Sequence, residues 1–165
     1  MPELNRFDFF SQNESDTETL GAAFGQHLEA GAVIALVGNL GAGKTRFVQA
    51  VAVSAGVDRQ AVNSPTFVLI QEYEGEIPLY HLDTYRIRDV DEFLELGVEE
   101  LWSEGGVCFI EWADRFAEVL PRDLLTVAIE ITGAETRVFH ISESGPISKR
   151  MLQNVQQQLE DPLEI

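Results

Sequence analysis

The run 32–37 (AVIALV) contains no polar residue, and neither does 107–110 (VCFI). Unbroken apolar runs of this length predict strands buried on both faces of a sheet. Elsewhere the rhythm changes. Leu20, Ala23, Phe24 and Leu28 recur at helical spacing and predict a helix over about 16–29, with Ser15 as N-cap, Glu18 completing a capping box, and an end near Gly31. Residues 44–55 predict a second helix with Gly56 just past its end. Its Phe47, Val48, Ala50, Val51, Ala52 and Val53 cover most of the circumference, so it is expected to be largely buried. Helical spacing returns over 90–102, interrupted at Gly97. Shorter stretches predict strands at 7–10, at 67–73 and 79–83 around a turn at Glu74-Gly75, and at 124–131 and 138–141 as a closing hairpin around Thr132-Gly133. Strands interleaved with helices predict an α/β three-layer sandwich around a central mixed, mainly parallel sheet. The expected domain covers 1–143, followed by a polar C-terminal tail over 144–165 with a helix at about 150–159.

Chemistry enters between the first buried strand and the second helix. Gly38-Asn39-Leu40-Gly41-Ala42-Gly43-Lys44-Thr45 fits G-x-x-x-x-G-K-[ST] at every fixed position. Glycines let the backbone wrap phosphates with its N–H groups pointing inward, and the positive end of the following helix faces the same anion. Lys44 is placed to reach the β- and γ-phosphates and the Thr45 hydroxyl to ligate magnesium. The motif therefore predicts a P-loop NTPase-like fold that binds ATP with Mg2+. It does not specify the reaction.

Such sites also place an acid at the end of a neighbouring buried strand. Asp83 ends Leu79-Tyr80-His81-Leu82, and Glu111 ends Val107-Cys108-Phe109-Ile110. Ligands bind at the C-terminal strand ends of such sheets. Glu111, on the purely apolar strand, is assigned to magnesium, directly or through water. Asp83 is assigned to orienting or activating the attacking water. The alternative for either acid is a helix cap or an ion pair with Arg86. Thr66, in the loop after the P-loop helix, stands where a γ-phosphate sensor would sit; an ordinary turn threonine is the alternative. Trp112 is read either as a wall of the nucleotide pocket or as core packing. His81 reads as a satisfied structural histidine and Cys108 as a small core hydrophobe.

Length and charge narrow the class. The 165 residues suit one domain. No apolar run approaches the roughly 18 residues of a membrane span. The first ten residues mix Glu3, Arg6 and Asp8 into their apolar positions, unlike a signal peptide, so a cytoplasmic location is expected and no membrane partner. One cysteine rules out an internal disulfide. With 11 Lys+Arg against 28 Asp+Glu, the net charge is -17. Such a surface repels phosphate backbones and argues against unaided binding of RNA or DNA. It suits docking on a basic protein partner, although solubility alone is a sufficient reason for it.

Taken with the P-loop, the segments Ser64-Pro65-Thr66-Phe67, His81-Leu82-Asp83-Thr84-Tyr85-Arg86 and Ile110-Glu111-Trp112 agree in order and separation with one family. Over about 16–121 the chain resembles the TsaE (YjeE) family, small ATPases of bacterial tRNA threonylcarbamoyladenosine synthesis. The resemblance implies that Lys44 contacts phosphates, that Thr45 and Glu111 hold magnesium, that Asp83 serves hydrolysis and that Thr66 is a switch residue. It also implies that a segment just before the first helix, about Glu14 to Thr17, approaches the nucleotide. The implied partners are TsaD and TsaB, which modify adenosine 37 of tRNAs reading ANN codons, so that tRNA is met only through the complex. Asn39 departs from the family's usual aspartate and loses a charge, and Arg46 stands where a small residue is common. The main rival is a small-molecule P-loop kinase, which needs cationic side chains over the transferred group. Only Arg86, Arg88 and Arg115 are candidates for that role. A GTPase switch is disfavoured because the chain has neither N-K-x-D nor D-x-x-G. A scaffold that binds ATP without hydrolysing it is a further alternative. Sparse positive charge predicts weak hydrolysis by the chain alone.

Overall fold

The computed structural model describes residues 6–39, 41–62 and 70–160. Seven strands, β1 (Arg6–Ser11), β2 (Val33–Gly38), β3 (Ile70–Tyr73), β4 (Leu79–Asp83), β5 (Val107–Glu111), β6 (Leu125–Ile131) and β7 (Arg137–Glu143), form one sheet in the order β1-β7-β6-β2-β5-β4-β3. The centre, β6-β2-β5-β4, is parallel, while β1, β7 and β3 join antiparallel at the edges. The sheet is thus mixed, and its parallel part is the centre that carries the two unbroken apolar runs.

Five helices flank it: α1 (Glu14–Gln26), α2 (Lys44–Ser54), α3 (Val90–Glu95), α4 (Val98–Ser103) and α5 (Pro146–Glu160). One core lies between the sheet and α1, α2 and α5, and holds Phe24, Phe47, Leu36, Phe109, Phe139 and Met151. A second lies on the other face, where Phe93 and Phe116 stack on each other in a cluster with Val33, Ala35, Leu82 and Ile110. Strand alternation explains the split. Ile34 and Leu36 face one core while Val33 and Ala35 face the other. Three layers are complete over β2, β5 and β4, the strands that carry the site.

Two local expectations need correction. Ser15 does not cap α1. Asn13 does, its side chain accepting from Asp16 N at 2.9 Å, while Asp16 accepts from Gln12 N at 2.8 Å. Asn13 thus takes the capping place expected of Ser15, two residues upstream, while the Asp16 side chain returns to the N–H of Gln12, the residue before the cap. The helix also ends at Gln26, three residues short of the expected 29. The C-terminal segment forms α5 from Pro146, earlier than expected, because Asp123 accepts from Ile147 N at 2.7 Å and Ser148 N at 2.9 Å and so caps its first turn. Met151, Leu152 and Val155 of α5 are fully buried. Among the described residues no helix is long and apolar enough to cross a membrane. Of the predicted strand over 67–73, residues 70–73 are β3 and the rest lies outside the described residues.

The α1–α2 contact depends on two small residues. A Cβ added at Gly21 would lie 2.5 Å from Ala50 Cβ, and one at Gly25 would lie 2.5 Å from Val51 O. Backbone cannot retreat as a flexible side chain can, so Gly25→Val forces the helices apart. Overpacking of this kind costs about 1–3 kcal/mol. Urea unfolding is expected to show that loss, and an unchanged midpoint would contradict the packing described.

Candidate functional site

Among its described residues, the loop from Gly38, at the end of β2, to Gly43, before α2, carries three glycines and one alanine besides Asn39. Gly41 has φ 81 and Gly43 has φ 105, left-handed values that a Cβ penalises. No heavy atom lies within 4 Å of an added Cβ at either residue, so backbone conformation and not space selects glycine there. Gly43 is also the N-cap of α2 and makes no side-chain cap, so that among the described residues no side chain caps the first N–H groups of the helix. Leu40, also expected in this cradle, lies outside the described residues. Gly38, Asn39, Gly41, Ala42 and Gly43 form the loop, and Ala42 N closes a turn on Asn39 O at 3.0 Å.

Lys44 is 5% exposed and bends back over the loop, donating to Gly38 O at 2.5 Å and Asn39 O at 3.3 Å. Its ammonium sits 3.8 Å from the centroid of the Trp112 ring. Burial pulls its pKa below the ordinary lysine value, and the charges of Glu111, Asp83 and Asp114 oppose that shift. An amine held by two neutral carbonyls in a buried position is poised to exchange them for an anionic partner.

The acids come together as expected. In the parallel pairing of β4 with β5, Asp83 lies opposite Glu111, and Leu36 of β2 flanks Glu111 on the other side. Both acids therefore stand at C-terminal strand ends beside the start of α2. Glu111 is buried, and Thr45 Oγ1 donates to its Oε2 at 3.3 Å. The Thr45 hydroxyl and the Glu111 carboxylate are oxygen donors of the kind that suits a small hard cation such as Mg2+. Asp83 is half-buried and makes no ion pair with Arg86 among the described residues; its Oδ1 accepts from Tyr85 N at 3.0 Å. Trp112 follows Glu111 with φ 64, the one left-handed non-glycine among the described residues. Its main-chain N–H donates to Leu36 O at 3.1 Å, and its ring meets that of Tyr85 at 5.1 Å between centroids. Trp112 thus serves as a floor under Lys44 and does not belong to either core. Cys108 is buried as expected, and burial pushes its thiol up to about 12.

Two expected residues stand differently. Thr66, with the rest of Ser64-Pro65-Thr66-Phe67, lies outside the described residues. Glu14, expected ahead of the first helix, is instead the first residue of α1, because Asn13 and not Ser15 caps it; it is exposed and pairs with Arg46 at 3.4 Å. Arg46 also reaches Glu18 at 3.8 Å.

Sequence reasoning missed three contributors. His81 is not satisfied: Nε2 lies 2.6 Å from Glu111 Oε2, but Nδ1 is buried without a partner among the described residues. Arg137 of β7 donates to Ala42 O at 3.1 Å and to Gly41 O at 3.4 Å while also holding Gly133 O and Thr136 O. It braces the loop from behind, and no signal in the sequence pointed there, because 95 residues separate it from Ala42. Arg115 spends its guanidinium on the carbonyls of Thr84, Tyr85 and Ile87, fixing the turn after Asp83.

The family model described as "Threonylcarbamoyl adenosine biosynthesis protein TsaE" matches residues 11–139. The chain belongs to the TsaE family. A Treponema pallidum (strain Nichols) protein named tRNA threonylcarbamoyladenosine biosynthesis protein TsaE is 39% identical over 121 residues, covering 73% of this chain and 89% of that protein. A Bacillus subtilis (strain 168) protein of the same name is 40% identical over 134 residues, covering 81% and 83%. The solved structure titled "Crystal structure of Bacillus subtilus YdiB" superposes with a TM-score of 0.77 at 27% identity, covering 96% of this chain and 99% of that one. The loop, both acids and Trp112 all fall inside the matched TsaE segment. Arg137, near its end, belongs to it too, whereas the whole of α5 lies beyond it.

Proposed function

We propose that this TsaE chain is a Mg-dependent ATPase serving the threonylcarbamoylation of adenosine 37 in tRNAs reading ANN codons. The observation that carries the reading is the alignment of Asp83 with Glu111 across β4 and β5, beside Thr45 and the glycine loop. ATP seats its phosphates on the loop amides and the α2 N-terminus. Lys44 leaves the Gly38 and Asn39 carbonyls for the β- and γ-phosphates. Thr45 and Glu111 would hold Mg2+, which would supply charge neutralisation for the phosphate oxygens. Asp83, one strand away, orients the attacking water and accepts its proton, and Thr66 senses the γ-phosphate. Trp112 keeps bulk water from beneath Lys44, and the Glu14 segment lies at the nucleotide's edge.

The kinase alternative loses support from Arg115. Backbone carbonyls occupy its guanidinium, while Arg86 and Arg88 are exposed. Because no free cation lines the site among the described residues apart from Lys44, hydrolysis by the isolated chain is slow. TsaB and TsaD are the partners that accelerate it. A net charge of -17 leaves tRNA to them. The cytoplasm is the compartment where these partners and ATP meet.

The test measures phosphate release with and without TsaB and TsaD, and counts cycles of tRNA modification when the carbamoyl-adenylate synthase is added. Release without a phosphorylated acceptor, faster with partners present, is expected. A phosphorylated small molecule would favour the kinase.

Arg137 offers a separate check on the loop. Arg137→Met removes its hydrogen bonds to Gly41 and Ala42, each contributing about 1 kcal/mol to the loop's resting shape. ADP affinity is expected to fall about 5- to 10-fold by fluorescence titration. Unchanged affinity would show that the loop holds its shape without the brace.

A further inference from the structure

His81 lies on β4 two residues before Asp83, so strand alternation puts both on the face that meets α2. It is 1% exposed, and its neighbours on this face, Leu79 and Phe109, are wholly buried. An ionised carboxylate only accepts, so Nε2 donates to Glu111 Oε2 and Nδ1 is left unpartnered among the described residues. An aliphatic side chain would fill this position without burying an unpaired atom. Packing therefore does not account for an imidazole here, and a buried polar atom without a partner needs another reason. The Glu111 contact supplies one. At 2.6 Å it is the shorter of the two donor contacts to Oε2, Thr45 Oγ1 standing at 3.3 Å. Thr84 Oγ1 holds the same residue by its main chain, donating to Glu111 O at 2.6 Å.

We propose that His81 is a positioning residue for the divalent cation, fixing the Glu111 carboxylate beside Thr45. The inference rests on the reading of Glu111 as a magnesium ligand. Histidine and carboxylate exchange their usual order here, with the carboxylate on the cation and the imidazole behind it. Groups that orient a ligand from behind change metal affinity about 10- to 100-fold when removed.

The experiment titrates the full chain with a fluorescent ADP analogue, first in EDTA and then at graded Mg2+. His81→Leu is expected to need on the order of 10-fold more Mg2+ for half-saturation, with affinity in EDTA unchanged. His81→Gln, whose amide nitrogen reaches close to the place of Nε2, is expected to restore the requirement to within about threefold of wild type. Thermal unfolding checks that each variant folds; if His81→Leu does not, His81→Phe takes its place. A wild-type Mg2+ requirement in the apolar variant overturns the proposal, as does an equal loss in EDTA or a glutamine variant as impaired as leucine. If the wild-type chain itself shows no Mg2+ dependence, the Glu111 reading fails first.

Discussion

Lys44→Ala is expected to weaken MgATP binding on the order of 10- to 100-fold and to cut hydrolysis further, by about 100- to 1000-fold. Hydrogen bonds from a charged donor to a charged acceptor contribute about 1.5–3 kcal/mol, which sets the binding loss. The larger kinetic loss follows because charge on the phosphoryl oxygens grows toward the transition state. Fold stability changes little by comparison, since among the described residues the amine rests on two loop carbonyls and the Trp112 face. Calorimetry for binding, phosphate release for turnover and thermal unfolding for stability separate the three quantities. A variant that binds MgATP as tightly as wild type would remove Lys44 from the site.

Asp83→Asn is expected to act on the chemical step alone. The amide oxygen still accepts from Tyr85 N, so the turn after β4 and the Arg115 contacts persist. The lost function is proton acceptance, a contribution of about 100- to 10,000-fold. Nucleotide affinity stays within about threefold of wild type, because Asp83 is neither loop nor helix terminus. Single-turnover hydrolysis in the presence of TsaB and TsaD measures the step directly. Equal losses in binding and turnover would place Asp83 on the cation, and no loss would return it to a turn residue.

The sheet was readable because its centre is so apolar. Residues 32–37 and 107–110 announce strands covered on both faces, and the acid that follows the second run falls at a C-terminal strand end without any structural knowledge. The glycine spacing fixed the loop in the same way. What escaped was whatever depends on contacts distant in sequence. Arg137 reaches the loop only because β7 folds back beside β6, which pairs with β2. His81 looked like a core residue because its neighbours are apolar, and its contact with Glu111 exists only in the β4–β5 register. The α1 start was misplaced because Asn13 and Ser15 are equally good caps, and the choice rests on where Asp16 can return to Gln12. The two-glycine seam of α1 had no signal in the hydrophobic pattern, since glycine counts neither as apolar stripe nor as polar face.

Calorimetric titration of the wild-type chain with MgATP tests the central claim most directly. The loop, Lys44, Thr45 and Glu111 predict one ligand per chain, with heat that falls away when EDTA removes the magnesium and nearly vanishes in Lys44→Ala. A flat titration of folded wild-type protein, or one indifferent to both changes, would contradict it.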